Sequence, residues 1–179
     1  MLKSYKSQIA DRRSQNKRSG FSLLEALVAI SVLIIAFLGV YDLVSFGVSR
    51  ASFAKNQNIA FFLGQEGMEY IINKKMTNSS QGNDWLDVFF NSCQSPNGCY
   101  ADAINDSITQ CPENGCPKIK FDSATGYNYL NGTDTVFQRK IITETIQPDK
   151  EIKLTVEMKW RDKGREKSFV VEDRLFNWW

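Results

Sequence analysis

A chain of 179 residues suits one globular domain plus an accessory segment, and not two independent domains. It contains no histidine, which excludes Ser-His and Cys-His nucleophilic chemistry and histidine-ligated metal. There is also no glycine-rich phosphate loop, so neither an enzyme nor a bound cofactor or metal is expected. The net charge of +2 conceals an asymmetry: Lys3, Lys6, Arg12, Arg13, Lys17 and Arg18 stand against Asp11 in residues 1–20, a net of +5, which leaves −3 for residues 21–179.

The basic leader of residues 1–20 runs directly into an apolar stretch from Phe21 to Val48, broken chiefly by Glu25, Asp42 and small or polar residues. About 20–25 of these residues suffice to cross a hydrocarbon core at the helical rise of about 1.5 Å each. Positive charge flanking such a span marks its cytoplasmic side, so the rest of the chain is expected outside the cytoplasm. The position of the leader against a membrane-length helix argues against a nucleic-acid-binding arm. Glu25 is costly in this setting, since a carboxylate within a span is penalised by about 2.5–3.5 kcal/mol on insertion scales. Asp42 can pair with a neighbouring subunit or reach the outer headgroup zone; the second is favoured, because Arg50 opens the polar part of the chain soon after.

Helical periodicity continues beyond the span in amphipathic form. Ala51, Ala54, Asn58, Phe61, Phe62, Gln65, Met68, Glu69 and Ile72 recur at three- and four-residue steps. One helix from about Phe21 to about Lys75, roughly 80 Å long, is predicted, with Phe53, Phe61, Phe62 and Met68 as its core stripe. Gly39 and Gly47 permit close packing or local unwinding in the apolar half; Gly64 and Gly67 let a strand approach the soluble half. The run Thr77–Asn83 reads as the turn that ends the helix. Asp84 then caps a short helix containing Trp85, Leu86, Val88, Phe89 and Phe90.

Cys93, Cys99, Cys111 and Cys116 fall in one polar stretch rich in Pro, Asn and Gly, read as an irregular crosslinked loop. An even number in an exported segment indicates disulfides, and the C-x5-C and C-x4-C spacings suggest the local pairs Cys93–Cys99 and Cys111–Cys116. Four cysteines allow three connectivities, so pairing across the loops stays open. A four-thiolate zinc site is the rival, although such sites usually show tighter C-x2-C pairs and belong in reducing compartments. Loops this short point to bridges that rigidify a loop and do not hold the fold.

After the cysteines the period changes to two. Short strands at Lys118–Phe121 and Tyr127–Leu130 flank a turn, and Asn131-Gly132 leads into a strand over Val136–Ile146. Ile152, Leu154, Val156, Met158 and Trp160 alternate cleanly with polar residues; a hairpin over Arg161–Arg165 then returns the chain through Lys167–Trp178. Asp122, Asn131 and Asp134 offer oxygens for calcium without the ordered ligand series such a loop needs. Lys159, Arg161, Lys163, Arg165 and Lys167 crowd the last hairpin, but Glu157, Asp162 and Glu166 are interleaved, so a solvated face is read there and not a DNA site. Trp178 and Trp179 are read as closing the sheet edge or touching a neighbouring subunit. The expected fold is α+β: a long N-terminal helix whose second half packs on an antiparallel β-sheet head.

Gly20-Phe21-Ser22-Leu23-Leu24-Glu25, a small residue then Phe and a polar-apolar-apolar-Glu run opening the apolar helix, resembles the N-terminus of type IV prepilins and type II secretion pseudopilins. The Ala60–Glu66 continuation and the Val156–Trp160 strand agree with minor pilins and pseudopilins of the I/V kind. The resemblance implies cleavage between Gly20 and Phe21 by a prepilin peptidase that also N-methylates Phe21. It further implies assembly through Phe21 and Glu25, whose carboxylate pairs with the new amine of its own or a neighbouring chain. The implied partners are other pilin subunits, the peptidase/N-methyltransferase, an assembly platform in the membrane and, before assembly, the bilayer; nucleic acid is not expected. The implied location is a single-pass precursor in the cytoplasmic membrane with its leader in the cytoplasm, then an extracellular or periplasmic filament. Residues 1–20 would be a cleaved leader, 21–48 the transmembrane and assembly helix, and 49–179 the head with a disulfide loop at 93–116. Both cysteine pairs precede the main strands, unlike the terminal disulfide-bounded loop of many major pilins, which favours a minor subunit. A secretion pseudopilin and a non-polymerising, membrane-anchored binding module are the alternatives.

Overall fold

The computed structural model of the protein describes residues 20, 22–86 and 89–177. The leader up to residue 19, Phe21, Val88, Trp178 and Trp179, to which the sequence assigns roles, lie outside the described residues. One helix, α1 (Leu23–Ser80), precedes seven strands: β1 (Cys99–Asp102), β2 (Ser107–Gln110), β3 (Lys118–Asp122), β4 (Gly126–Asn128), β5 (Thr133–Gln147), β6 (Glu151–Asp162) and β7 (Arg165–Phe176). The strands form a single antiparallel sheet, so the fold is α+β with the layout of a pilin. By compactness the chain divides into residues 1–47 and 48–179.

At 58 residues α1 is about 87 Å long at the standard rise, and it stays regular through Gly39 and Gly47. It runs past Thr77, where turn-forming residues predict its end. The polar side chains there bond back along the helix: Thr77 Oγ1 donates to the Asn73 carbonyl at 2.9 Å and Ser80 Oγ to the Thr77 carbonyl at 2.8 Å. The stop comes at Gly82, in the left-handed region at φ 72°. Gly82 N–H donates to Ser79 O and Asn83 N–H to Asn78 O, the bond pair of a Schellman motif. Where a short helix is predicted after Asp84, residues 85–86 and 89–90 are turns, Phe90 N–H donates to the Leu86 carbonyl at 3.1 Å, and a 3-10 turn follows over Asn91–Cys93; Trp85 and Phe89 are buried as core residues.

β5 is the central strand. β6 pairs along one side of it, with β7 beyond; on its other side β3 pairs with the Thr133–Gln138 stretch and β1 meets Ile141. The cysteine region is more ordered than an irregular loop, because residues 99–110 form the β1–β2 hairpin. Gly98 is required where this segment crosses β5: it has φ 67°, and a Cβ there would sit 2.6 Å from the Ile141 carbonyl oxygen. The last hairpin turns through Lys163 and Gly164, both at positive φ, the two-residue geometry that matches strand twist.

The buried face of the soluble part of α1 is Ala60, Leu63, Gly64, Gly67, Met68, Ile71, Lys75 and Asn78. Of the predicted stripe, Met68 is buried and Phe53 packs at the edge of a core cluster, whereas Phe61 and Phe62 are exposed, Phe62 by 67 %. The sequence phase is thus about one residue off, some 100° of helix rotation. The cause is the glycine pair. Phe169 and Met158 fill the space over Gly64, and the Arg139 side chain lies across Gly67.

Arg139 is 2 % exposed on β5, in phase with Phe137 and Ile141. Nη1 donates to the Leu63 carbonyl of α1 at 2.6 Å and Nη2 to the Ala101 carbonyl of β1, while the guanidinium lies 5.9 Å from the Tyr129 ring centre. Glu66 supplies a carboxylate at 3.8 Å; burial pushes its pKa up against the opposing pull of Arg139. Beside this lock, buried Asp102 accepts from Asn105 Nδ2 (2.8 Å), Tyr129 N–H (2.9 Å), and Ile104 and Asn105 N–H (3.1 Å each). Burial works against its charge, but these bonds, led by the Asn105 side chain, outweigh it and hold its pKa below the ordinary aspartate value.

Two outcomes are expected. Gly67→Ala places a Cβ 2.7 Å from Arg139 Cδ, so a change that ordinarily gains nearly 1 kcal/mol in a helix is expected to destabilise by about 1–3 kcal/mol; a rise in thermal melting temperature would contradict the packing described. Because the folded pKa of Asp102 is depressed, its stabilisation is present above the ordinary value of about 4 and disappears as pH falls through the lower folded value. Asp102→Asn is therefore expected to cost about 2 kcal/mol at pH 7, with the gap to wild type narrowing toward pH 3 in denaturant titrations.

Candidate processing and assembly site

The N-terminal motif is built by the first turn of α1. Ser22 precedes the helix, and its carbonyl accepts the first helical bond from Ala26 N–H at 3.1 Å. Glu25 is exposed within that turn, where the partial positive charge of unpaired N–H groups favours a carboxylate. Ser22 is the residue that sequence reasoning passes over. The Ser-x-x-Glu spacing of Ser22 and Glu25 is that of a capping box and was the available signal. Gly20, also exposed, has open space where a side chain would be. Phe21, the other half of the proposed cleavage bond, lies outside the described residues.

From Leu23 to Val48 the helix presents its apolar side chains outward: Leu23 is 78 % exposed and Phe37 and Leu43 are 73 % exposed. Each such side chain left in water forfeits about 1.5–3 kcal/mol of burial energy. This helix is long and apolar enough to cross a membrane by length and composition. Asp42 is exposed 17 residues beyond Glu25, about 26 Å along the axis, so the two carboxylates are separated by nearly the thickness of a hydrocarbon core.

Residues 15–41 match the family model described as the prokaryotic N-terminal methylation motif. The chain carries the prepilin signature of type IV pilins and pseudopilins. The matched segment includes Gly20, Phe21, Glu25 and most of the apolar helix, and the motif fits a membrane-anchored precursor recognised by a prepilin peptidase. No curated protein and no solved structure matches the chain.

Within the compact unit of residues 48–179, Cys93 is bonded to Cys99 and Cys111 to Cys116. Cys93 and Cys99 are fully buried in the cluster containing Phe89, Ile141 and Val156, so this bridge is part of the core as well as of a loop. The second bridge is tied to the sheet through Gln138, whose Nε2 donates to the Cys116 carbonyl. Asp122, one of the oxygens weighed for calcium, spends Oδ1 on Ala124 N–H, Thr125 N–H and Thr125 Oγ1, which fixes its own turn and lowers its pKa. Asp134 stands opposite Lys120 in the β3–β5 ladder.

Each bridge closes a loop short enough that the chain-entropy contribution is about 2 kcal/mol. Replacing Cys93 and Cys99 together by Ala also removes sulfur packed inside the main apolar cluster, which Cys111 and Cys116, although buried, do not join. That pair is therefore expected to lower stability by more than replacing Cys111 and Cys116, as read from urea midpoints; equal losses would contradict a core role for the first bridge.

Proposed function

We propose that this chain is a structural minor pilin subunit. It is held in the cytoplasmic membrane by residues 21–48, freed of its 20-residue leader between Gly20 and Phe21, and assembled through α1 into an extracellular type IV pilus-like filament. The observation that carries this reading is Glu25 in the first turn of an exposed apolar helix, four residues beyond Phe21 of a Gly-Phe pair within the methylation motif. A carboxylate is expensive in that layer unless a positive charge joins it. Cleavage creates such a charge on Phe21. Opposite charges in a medium of low dielectric attract strongly, so Glu25 of one subunit pairs with the Phe21 amine of its own chain or of a neighbour and draws the apolar helices into register. Residues 49–179 form the exported head, consistent with the basic leader on the cytoplasmic side and with two disulfides. The placement of both bridges before the long strands supports a minor over a major subunit. The methylation motif belongs equally to pseudopilins, and a secretion pseudopilin is the second reading.

Mass spectrometry of the mature N-terminus tests the processing step: the expected species begins at Phe21 and carries one methyl group, and an intact Met1 in the mature protein would refute the reading. Glu25→Leu is expected to be cleaved normally and to be lost from sheared filaments. Undiminished incorporation of that variant would remove the ion-pair argument while leaving the processing step standing.

A further inference from the structure

The five basic residues of the last hairpin do not form one patch. Strand pairing places Lys159 and Arg161 on the sheet face away from α1, with Glu166 directly opposite Arg161 and Glu157 ion-paired to Lys159 at 3.1 Å. Arg165 and Lys167 lie in register with Asp162 and Trp160 on the face toward α1, and Lys163 occupies the turn. There the hairpin meets the helix. Lys163 Nζ donates to Ser49 Oγ, and Lys167 Nζ lies 5.8 Å from the centre of the Phe53 ring. Arg50, Lys163, Arg165 and Lys167 line a cavity of about 380 Å³ in which Asp162 is the one acidic lining residue among those described. The sheet thus sorts the interleaved acids largely onto the opposite face and leaves a basic cavity beside residues 49–53.

Those residues directly follow the apolar segment. Residues 23–48 are about 39 Å long at the helical rise, or about 37 Å along the membrane normal at the average tilt of about 20°. A hydrocarbon core plus one headgroup layer measures about 35–38 Å. Ser49 and Arg50 therefore fall at the level of the outer headgroups, and long basic side chains reach back toward phosphates from either side of that level.

We propose that this cavity binds the phosphate of an anionic phospholipid headgroup on the outer surface of the membrane, holding the head against the bilayer before assembly. Arginine and lysine supply a fork and point charges suited to a phosphate; Ser49 Oγ, already a partner of Lys163, stands at the rim as a further polar group. The proposal rests on the reading that residues 23–48 span the membrane.

The test uses the full chain in detergent micelles doped with phosphatidylglycerol or phosphatidylcholine, with retained lipid counted by native mass spectrometry. Lys163→Asn with Arg165→Gln removes two cations from the cavity; Asn suits the left-handed backbone at position 163. Lys159→Gln with Arg161→Gln removes two cations from the other face of the same strands. Wild type and the second variant are expected to retain phosphatidylglycerol alike, and the first to lose about fivefold per cation, about 25-fold in all. Equal losses in the two variants, or no preference for phosphatidylglycerol in wild type, would overturn the proposal. Displacement of the lipid by inorganic phosphate at equal concentration would also overturn it, by making this a free-anion site. Flotation with pure phosphatidylcholine vesicles separates the two readings: a chain that floats but shows no headgroup preference defeats only the cavity, whereas one that does not float defeats the span and the cavity together.

Discussion

The packing of the head depends on where the guanidinium of Arg139 goes. A buried cation costs several kcal/mol unless its hydrogen bonds and charge are met. Here Nη1 and Nη2 are met by two backbone carbonyls from different elements, Leu63 O on α1 and Ala101 O on β1, with Glu66 at 3.8 Å as a secondary partner, while Nε is buried without a hydrogen-bond partner. The carbonyls matter more than the carboxylate, because the ion pair is long and Glu66 is partly in water. Reaching a helical carbonyl sideways requires a gap in the helix surface, and Gly67 is that gap. One side chain on the central strand therefore fixes the rotation of the soluble half of α1, its distance from β5 and the position of the β1–β2 hairpin. Asp102, the last residue of β1, completes the arrangement by gathering the hairpin turn and the Tyr129 backbone on one carboxylate.

This constraint explains what could be read from the sequence and what could not. The helix, the period change after the cysteines and the alternation from Ile152 to Trp160 are local patterns, and local patterns survive into the structure. The rotation of the helix is not local. Bulky Phe61 and Phe62 outweigh glycines in any hydrophobicity-based phase, yet the buried face is the one carrying Gly64 and Gly67, because Phe169, Met158 and Arg139 come from the sheet to fill it. Arg139 reads as a solvent residue by type. Only its phase with Phe137 and Ile141 places it inside. Thr77–Ser80 looks like a turn because Ser, Thr and Asn favour turns, but the Thr77 and Ser80 hydroxyls here bond within the helix, Asn78 is buried, and the stop waits for a residue able to adopt positive φ, Gly82.

The N-terminal methylation motif was legible as a motif, for the opposite reason. Its chemistry is carried by six consecutive residues and the character of the run that follows, so no tertiary contact is needed to recognise it. What the structure adds is local: Glu25 stands, exposed, in the first turn of α1, whose first backbone bond is accepted by the Ser22 carbonyl. A carboxylate so placed has two sources of favourable interaction, the N–H groups of its own helix end and, on the proposed reading, the amine released at Phe21. The first is available before cleavage and the second only after it. That order allows the precursor to tolerate Glu25 in the membrane while leaving the stronger, charged partner for the processed chain.

On the same reading, the apolar span is bounded by positive charge at both ends, by the leader on one side and by Arg50 with the cations of the β6–β7 hairpin on the other. Cleavage removes only the first. The remaining boundary consists of headgroup contacts worth about 1 kcal/mol per cation, and these are small beside the many apolar side chains of residues 23–48, each worth about 1.5–3 kcal/mol when kept from water. Extraction from the bilayer is therefore governed by whether the apolar surface finds an equivalent environment, which only the helices of other subunits provide. Headgroup contacts set the height at which the head waits, and the packing of apolar helices decides whether it leaves.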